Sequence, residues 1–288
     1  MKRWGVFYAQ FLLTIAADEK KILGIIWRVR EKVVNLRSEL NDRNNMKIID
    51  VKKFTVRRDR ISELIQNFQW VEAFSCLLQI IDEIGPLRDK SEYSDEECDF
   101  LFRIYYNLFI SGWNAKSTDK EILEYGEIAI RYTSRRDCLH KVYYELTVHA
   151  IQKEKLEQAS EYITKSLEYA DTDEQKAYSY KYCAVLNLRQ HNPNEALSQY
   201  MQAAYYAEEA QMNTFIPFIY IELVNVWYEL GKTEIALNNA EKAIQLAQKS
   251  GQYSIYIRAK VKKAQLLYHL GRDFDAKKEV LDIEFAID

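Results

Sequence analysis

Apolar residues recur at steps of three and four over long stretches free of Gly and Pro, one from about Ala177 to Gln190 and another from Glu195 to Ala210. Each stretch is long enough for three or more helical turns, and the pattern predicts amphipathic helices. A short break, His191 to Asn194, separates them. The same arrangement returns forty residues later, where Tyr228-Glu-Leu-Gly231-Lys marks the break, and again at Tyr268-His-Leu-Gly271-Arg. Stacking the three copies aligns Ala184/Val224/Ala264, Ala196/Ala236/Ala276 and Ala203/Ala243/Ile283. Small residues at fixed offsets let two antiparallel helices approach closely while Tyr, Leu and Trp fill the gaps, so each copy is predicted to be a helical hairpin stacked on the next. Gly231 and Gly271 stand where a helix ends in a left-handed residue.

The pattern continues upstream with a slightly shorter period. Leu156, Ala159 and Ser166 fit a copy thirty-seven residues earlier, Ile122, Gly126 and Ala129 another, and Trp70, Ala73, Leu77 and Ile80 a more remote one. About six hairpins are expected over residues 51–288, preceded by a helical extension over 1–50. In that extension Ile22, Ile25, Ile26, Val29, Val33, Leu36 and Leu40 form an apolar stripe. The first seventeen residues have the outline of a secretory signal, Met1-Lys-Arg followed by an apolar run. Gln10 interrupts the run, and Phe7, Tyr8, Phe11, Leu12 and Ile15 share a face, so an amphipathic first helix is the preferred reading. The run is also too short to span a bilayer.

These positions resemble the tetratricopeptide repeat, whose small residue, Gly-aromatic turn and later alanines correspond to Ala264, Gly271, Phe274 and Ala276 in the last copy and to Trp227, Gly231, Ala236 and Ala243 in the copy before. The forty-residue spacing is similar to the longer-helix variety found in bacterial peptide-pheromone receptors of the Rap and PlcR type and in kinesin light chain. The resemblance implies an all-α, right-handed α-solenoid of such hairpins with a two-helix N-terminal extension. It also implies a concave groove lined by positions two, five, nine and twelve of each first helix. Carried onto this sequence, those positions are Ile104, Asn107 and Ser111, then Tyr144 and Val148, then Tyr178, Lys181 and Val185, then Phe218, Asn225 and Tyr228, and finally Arg258, Gln265 and Tyr268. Of these, Asn107, Tyr144, Lys181, Asn225, Tyr228, Arg258, Gln265 and Tyr268 are the candidate contacts to a peptide or protein segment. An Asn amide both donates to and accepts from an extended backbone, Tyr adds apolar area with a polar tip, and Lys181 and Arg258 suit a ligand carboxylate. The Lys and Asn four apart that clamp heat-shock chaperone tails are missing, since Val185 follows Lys181; that partner class is disfavoured. Glu279, on the second helix of the last hairpin, is expected to be inert toward both ligand and fold.

Composition narrows the function. Among 288 residues there are 8 Gly and 3 Pro, too few for a β-rich or loop-rich fold. Cys76, Cys98, Cys138 and Cys183 are scattered without a Cys-x-x-Cys pair, which argues for buried, reduced thiols in a cytoplasmic protein. Residues 1–70 carry 15 Lys/Arg against 8 Asp/Glu and the remainder 25 against 35, so the N-terminal end is basic within a chain of net charge −3. The concentration at Lys47, Lys52, Lys53, Arg57, Arg58 and Arg60 reads as a solvated face, with docking of a second partner or nucleic acid as alternatives. No helix-turn-helix or aromatic RNA platform accompanies it, which counts against nucleic acid. Neither a phosphate loop, a metalloprotease motif nor a nucleophile elbow is present. Cys138, His140 and His149 make too loose a set for nucleophilic catalysis, and Asp171-Thr-Asp173-Glu174 reads as a turn whose acids cap the next helix rather than a metal loop. The expectation is a non-catalytic regulatory or adaptor protein without cofactor, with a constitutive scaffold subunit and a transcription regulator with a divergent basic N-terminus as alternatives.

Overall fold

The computed structural model describes residues 49–115 and 117–287, and side chains up to residue 282. The readings made for the first 48 residues, for Lys47 and for the side chain of Ile283 lie outside the described residues. Among the described residues there are twelve α-helices and no strand. They are α1 (Thr55–Gln66), α2 (Trp70–Ile84), α3 (Asp95–Asn114), α4 (Asp119–Arg131), α5 (Arg136–Gln152), α6 (Leu156–Tyr169), α7 (Asp173–Arg189), α8 (Pro193–Glu209), α9 (Ile216–Glu229), α10 (Thr233–Lys249), α11 (Tyr253–His269) and α12 (Asp273–Ile287). The chain divides into two compact units, Met1–Ile122 and Leu123–Asp288, and the division falls within α4.

In the first unit, α2 buries Ala73, Leu77 and Ile80 of the predicted stripe together with Phe74, while Trp70 is only partly buried. Helix α3 is buried on more than one side, with Leu101, Ile104, Leu108 and Phe109 all inaccessible. Its start is tied down by Glu97, whose carboxylate accepts from the Ser94 amide at 2.8 Å, the Ser94 hydroxyl at 2.9 Å and the Ile49 amide at 2.7 Å. Burial opposes ionisation of Glu97, but the hydrogen bonds from Ser94 and Ile49 outweigh it and hold the carboxyl below its ordinary value.

The second unit is a run of stacked hairpins. Helices α5 and α6, α7 and α8, α9 and α10, and α11 and α12 pack as pairs, and each pair packs on the next. The aligned alanines account for the close approach: Ala184, Ala196, Ala203, Ala236 and Ala243 are fully buried, and Ala264 and Ala276 nearly so. Ala236 sits among Val224, Leu237, Ala240, Leu266 and Leu267. A larger side chain there has no space to enter, so Ala236→Leu is expected to destabilise by about 1–3 kcal/mol, read as a lowered midpoint in urea; an unchanged midpoint would contradict this packing.

The turns from α7 onward share one geometry. His191, Gln211, Gly231, Gly251 and Gly271, spaced every twenty residues, all have φ between 52° and 71°. After each, the next amide bonds back five residues into the preceding helix: Asn192 to Asn187, Met212 to Ala207, Lys232 to Trp227, Gln252 to Ala247 and Arg272 to Leu267, at 2.8–2.9 Å. This is the Schellman closure, which satisfies carbonyls that a helix end leaves open. Glycine adopts it freely, whereas His191 and Gln211 do so against the Cβ penalty.

Two readings of polar residues are refined by the structure. The cap of α7 is the Thr172 hydroxyl, which accepts from the Gln175 amide at 3.2 Å while Gln175 reaches back to the Thr172 amide at 3.1 Å. The acids are used otherwise: Asp171 pairs with Arg136 at 2.9 Å and Asp173 with Lys176 at 3.2 Å. His140 is buried, with Nε2 3.1 Å from the Ser179 hydroxyl, which is in turn 2.9 Å from Ser166. That chain of three polar groups joins α5, α6 and α7. Burial lowers the His140 pKa, and the neutral ring serves as a brace between helices.

Candidate functional site

The first helices of the four hairpins in the second unit, α5, α7, α9 and α11, present half-buried aromatic and polar side chains that touch from helix to helix. Tyr144 on α5 meets Tyr178 and Tyr182 of α7 edge-on, with ring centroids 5.9 and 5.2 Å apart. Tyr178 meets Phe215 at 4.7 Å, and Phe215 stacks on Phe218 of α9 at 6.3 Å. Lys181 lies over two of these rings, its Nζ 3.9 Å from the centre of Tyr182 and 5.1 Å from that of Phe218. From α11, the guanidinium of Arg258 stands 5.7 Å from the same Phe218 ring. Glu222, one turn along α9, pairs with Arg258 at 3.8 Å and accepts from Asn225 Nδ2 at 3.2 Å. Offset and edge-on rings with cations over their faces are individually modest contacts, but together they fix side chains that would otherwise be mobile.

Repetition explains the arrangement. Tyr178, Phe218 and Arg258 stand at one position of successive first helices, Tyr182 and Glu222 at another, and Val185, Asn225 and Gln265 at a third. The face is therefore apolar across Val148 and Val185 and becomes hydrogen-bonding at Asn225 and Gln265. Burial raises the pKa of Tyr144, with Tyr182 and Glu145 adding to it, and burial likewise raises the carboxyl of Glu145. The Tyr144 phenol is a neutral donor at physiological pH. Farther along the helices, Tyr228 Oη is 3.0 Å from Nε2 of His269, and the largely exposed Tyr268 lies beside the same imidazole with centroids 6.2 Å apart.

Of the sequence-derived set, Tyr144, Lys181, Asn225 and Arg258 are thus brought into one connected patch, Tyr228 and Tyr268 meet through His269, and Gln265 is exposed on α11. Asn107 is half-buried on α3 in the first unit. Two positions of the expected groove are corrected: Ile104 and Ser111 are buried, because α3 is packed on more than one side, and the Ser111 hydroxyl is spent on the Asn107 carbonyl. Tyr182, Phe215, Glu222 and His269 belong to the surface but not to the sequence-derived set. Glu279 is also corrected. It is held at 2.8 Å from Lys263 and 3.2 Å from Lys260, so it is a structural residue.

At the basic end, Glu83 pairs with Lys53 at 2.9 Å and with Arg57, and hydrogen bonds from Arg57 and then Lys53 hold its carboxyl below the ordinary value. Arg58 contacts Asp59 at 3.4 Å. Among the described residues, Lys53, Arg57 and Arg58 of the basic set are thus paired with acids. All four cysteines are free, and among the described residues no group of three His, Cys, Asp or Glu is placed to hold a metal ion. No described helix is long and apolar enough to cross a membrane.

No family model and no curated protein matches the sequence. Solved structures do match its fold. The apo form of RapI superposes with a TM-score of 0.63 at 11% identity over 89% of this chain and 76% of that one. Aspartyl phosphate phosphatase F from Bacillus subtilis gives 0.60 at 11% over 91% and 69%, and pilF of Pseudomonas aeruginosa gives 0.57 at 15% over 80% and 90%. The chain has the all-α, tetratricopeptide-like solenoid fold of these structures, with the Rap-type resemblance holding at the level of fold.

Proposed function

We propose that this protein is a non-catalytic, cytoplasmic adaptor that binds an extended peptide or protein segment across the first-helix face of α5, α7, α9 and α11. The observation that carries the reading is the connected patch from Tyr144 to Arg258. Its rings are held by one another, and it retains unused hydrogen-bonding capacity: Asn225 donates to Glu222, while its carbonyl oxygen has no donor among the described residues. A preformed surface of this kind costs little to order on binding. Its rings supply area, and its amides pair with a strand-like backbone that has no secondary structure of its own. Four free cysteines agree with a reducing compartment.

The test uses a random twelve-residue peptide library displayed on phage and selected on the purified protein, followed by fluorescence anisotropy of the synthesised winners. Asn225→Ala removes the partner of a buried backbone group and is expected to weaken these peptides by about 1–3 kcal/mol, or roughly five- to a hundred-fold, with an unchanged melting temperature. Met201→Ala, on the exposed side of α8, is expected to alter neither. Failure to enrich any peptide, or winners indifferent to Asn225→Ala, would overturn the proposal.

A further inference from the structure

We infer that the bound segment carries an internal acidic side chain whose carboxylate is received between Lys181 and Arg258, above the ring of Phe218. The inference rests on the reading of this face as the peptide site and adds the chemistry of its ligand.

Two cations from different helices converge on one aromatic ring. Lys181 comes from α7 and Arg258 from α11, and both lie over Phe218 of α9, the helix between them. Like charges sharing a ring repel each other unless an anion stands with them. The protein supplies part of one. Glu222 is 3.8 Å from Arg258, well beyond the 2.7–2.9 Å of a charge-assisted hydrogen bond, and its other oxygen accepts from Asn225. Lys181 has no carboxylate within ion-pair range among the described residues. The patch around Phe218 therefore holds two positive charges and one negative charge that is already shared. A ligand carboxylate restores the balance and accepts from both cations.

Lys181 is also prepared for that role. Its ammonium is held 3.9 Å from the centre of Tyr182 and 5.1 Å from that of Phe218, so little rotamer freedom remains to be lost when an anion arrives. The half-buried rings exclude water on one side and reduce screening of the pair. An internal acid, rather than a chain terminus, follows from where the seat lies. The surface continues from Phe218 through Phe215 and Tyr178 to Tyr144, and along α9 to Glu222 and Asn225, so a terminal carboxylate placed there would leave one of these two arms uncovered.

The same phage selection tests this directly, because displayed peptides are fused at their C-termini and have no free carboxylate at that end. Wild-type winners are expected to share an Asp or Glu, and a C-terminally amidated synthetic winner is expected to bind as well as its free acid. Replacing the shared acid by its amide should lower affinity about ten- to a hundred-fold. Lys181→Met, which keeps the stem and removes the charge, should produce the same loss and flatten the salt dependence. The double variant Lys181→Glu with Arg258→Glu should select peptides rich in Lys and Arg. If the double variant fails to fold, as read by circular dichroism, Lys181→Met decides alone. Winners that need Asn225 but show no acidic preference, or that bind Lys181→Met as tightly as wild type, would overturn this inference and leave the peptide site standing. Winners that lose affinity when the C-terminal acid is amidated would show a terminal carboxylate in the seat and also overturn it. The absence of any winner overturns both.

Discussion

Tyr200→Ala is expected to destabilise the protein by about 3–5 kcal/mol, as large aromatic truncations in tight cores do. Tyr200 is 1% exposed on α8 and belongs to the cluster formed with Ala177, Ala184, Ala203, Ala207 and Ile219. The neighbours explain why the upper part of that range applies. Alanines have no rotamers with which to move into a void, and Tyr180 and Tyr206 beside the cluster are locked in a stack with centroids 5.4 Å apart. Burial pushes the Tyr200 phenol up, so the side chain is neutral over the physiological range and truncation removes no charge. Urea denaturation read by far-ultraviolet circular dichroism gives the number directly. A loss below about 1 kcal/mol would mean that the surrounding helices close the gap, contrary to the packing described here.

The second large effect is expected at Glu279→Ala, about 2–3 kcal/mol. Lys260 is 8% exposed on α11, and its ammonium is 3.2 Å from both Glu279 and Asp282. Lys263 lies between Glu279 at 2.8 Å and Glu241 at 3.1 Å. Removing Glu279 takes a carboxylate from two cations at once and leaves them with the more exposed Asp282 and Glu241. The pH dependence has a definite sign. Burial opposes ionisation of Glu279, but hydrogen bonds from Lys263 and Lys260 outweigh it and lower the pKa from 4.5. A group with a depressed folded pKa stabilises above its unfolded pKa, and that contribution is lost as pH falls through the folded value. The gap between wild type and Glu279→Gln should therefore be full at pH 7 and shrink below about pH 4.5. A gap that persists unchanged at pH 3 would assign the effect to packing rather than charge.

Alanines at forty-residue intervals were legible in the sequence because a small residue at a fixed offset has few explanations other than a repeated close contact. The glycine turns were legible for the same reason. Non-glycine residues in the same left-handed turn, at Phe68, Glu154, His191 and Gln211, carry no such signal. At these positions the fold, through the Schellman bonds, offsets a local preference that the residue itself opposes. The site was legible in part. Counting positions along the first helices found Tyr144, Lys181, Asn225 and Arg258, whose shared patch depends on repeat register. Tyr182 and Glu222 recur at the register too, but adjacent positions can be assigned to a face only once helix rotation is known. Phe215 precedes α9, which begins later in its repeat than its counterparts, so periodicity passes over it. Glu279 was misread because its partners lie on the preceding helix, 16 and 19 residues away, at no spacing that local pattern identifies.

The common turn at twenty-residue steps closes a hairpin and joins it to the next in the same way, so the backbone makes no distinction between the two kinds of junction. Parity then decides orientation. A segment of forty residues, cut or duplicated between equivalent turns, returns every later helix to its original direction. A segment of twenty reverses them all and exchanges the helices that carry Lys181, Asn225 and Arg258 with their hairpin partners α8, α10 and α12. The repeat can lengthen its binding surface only by pairs of helices, whatever length of sequence its turns would otherwise tolerate.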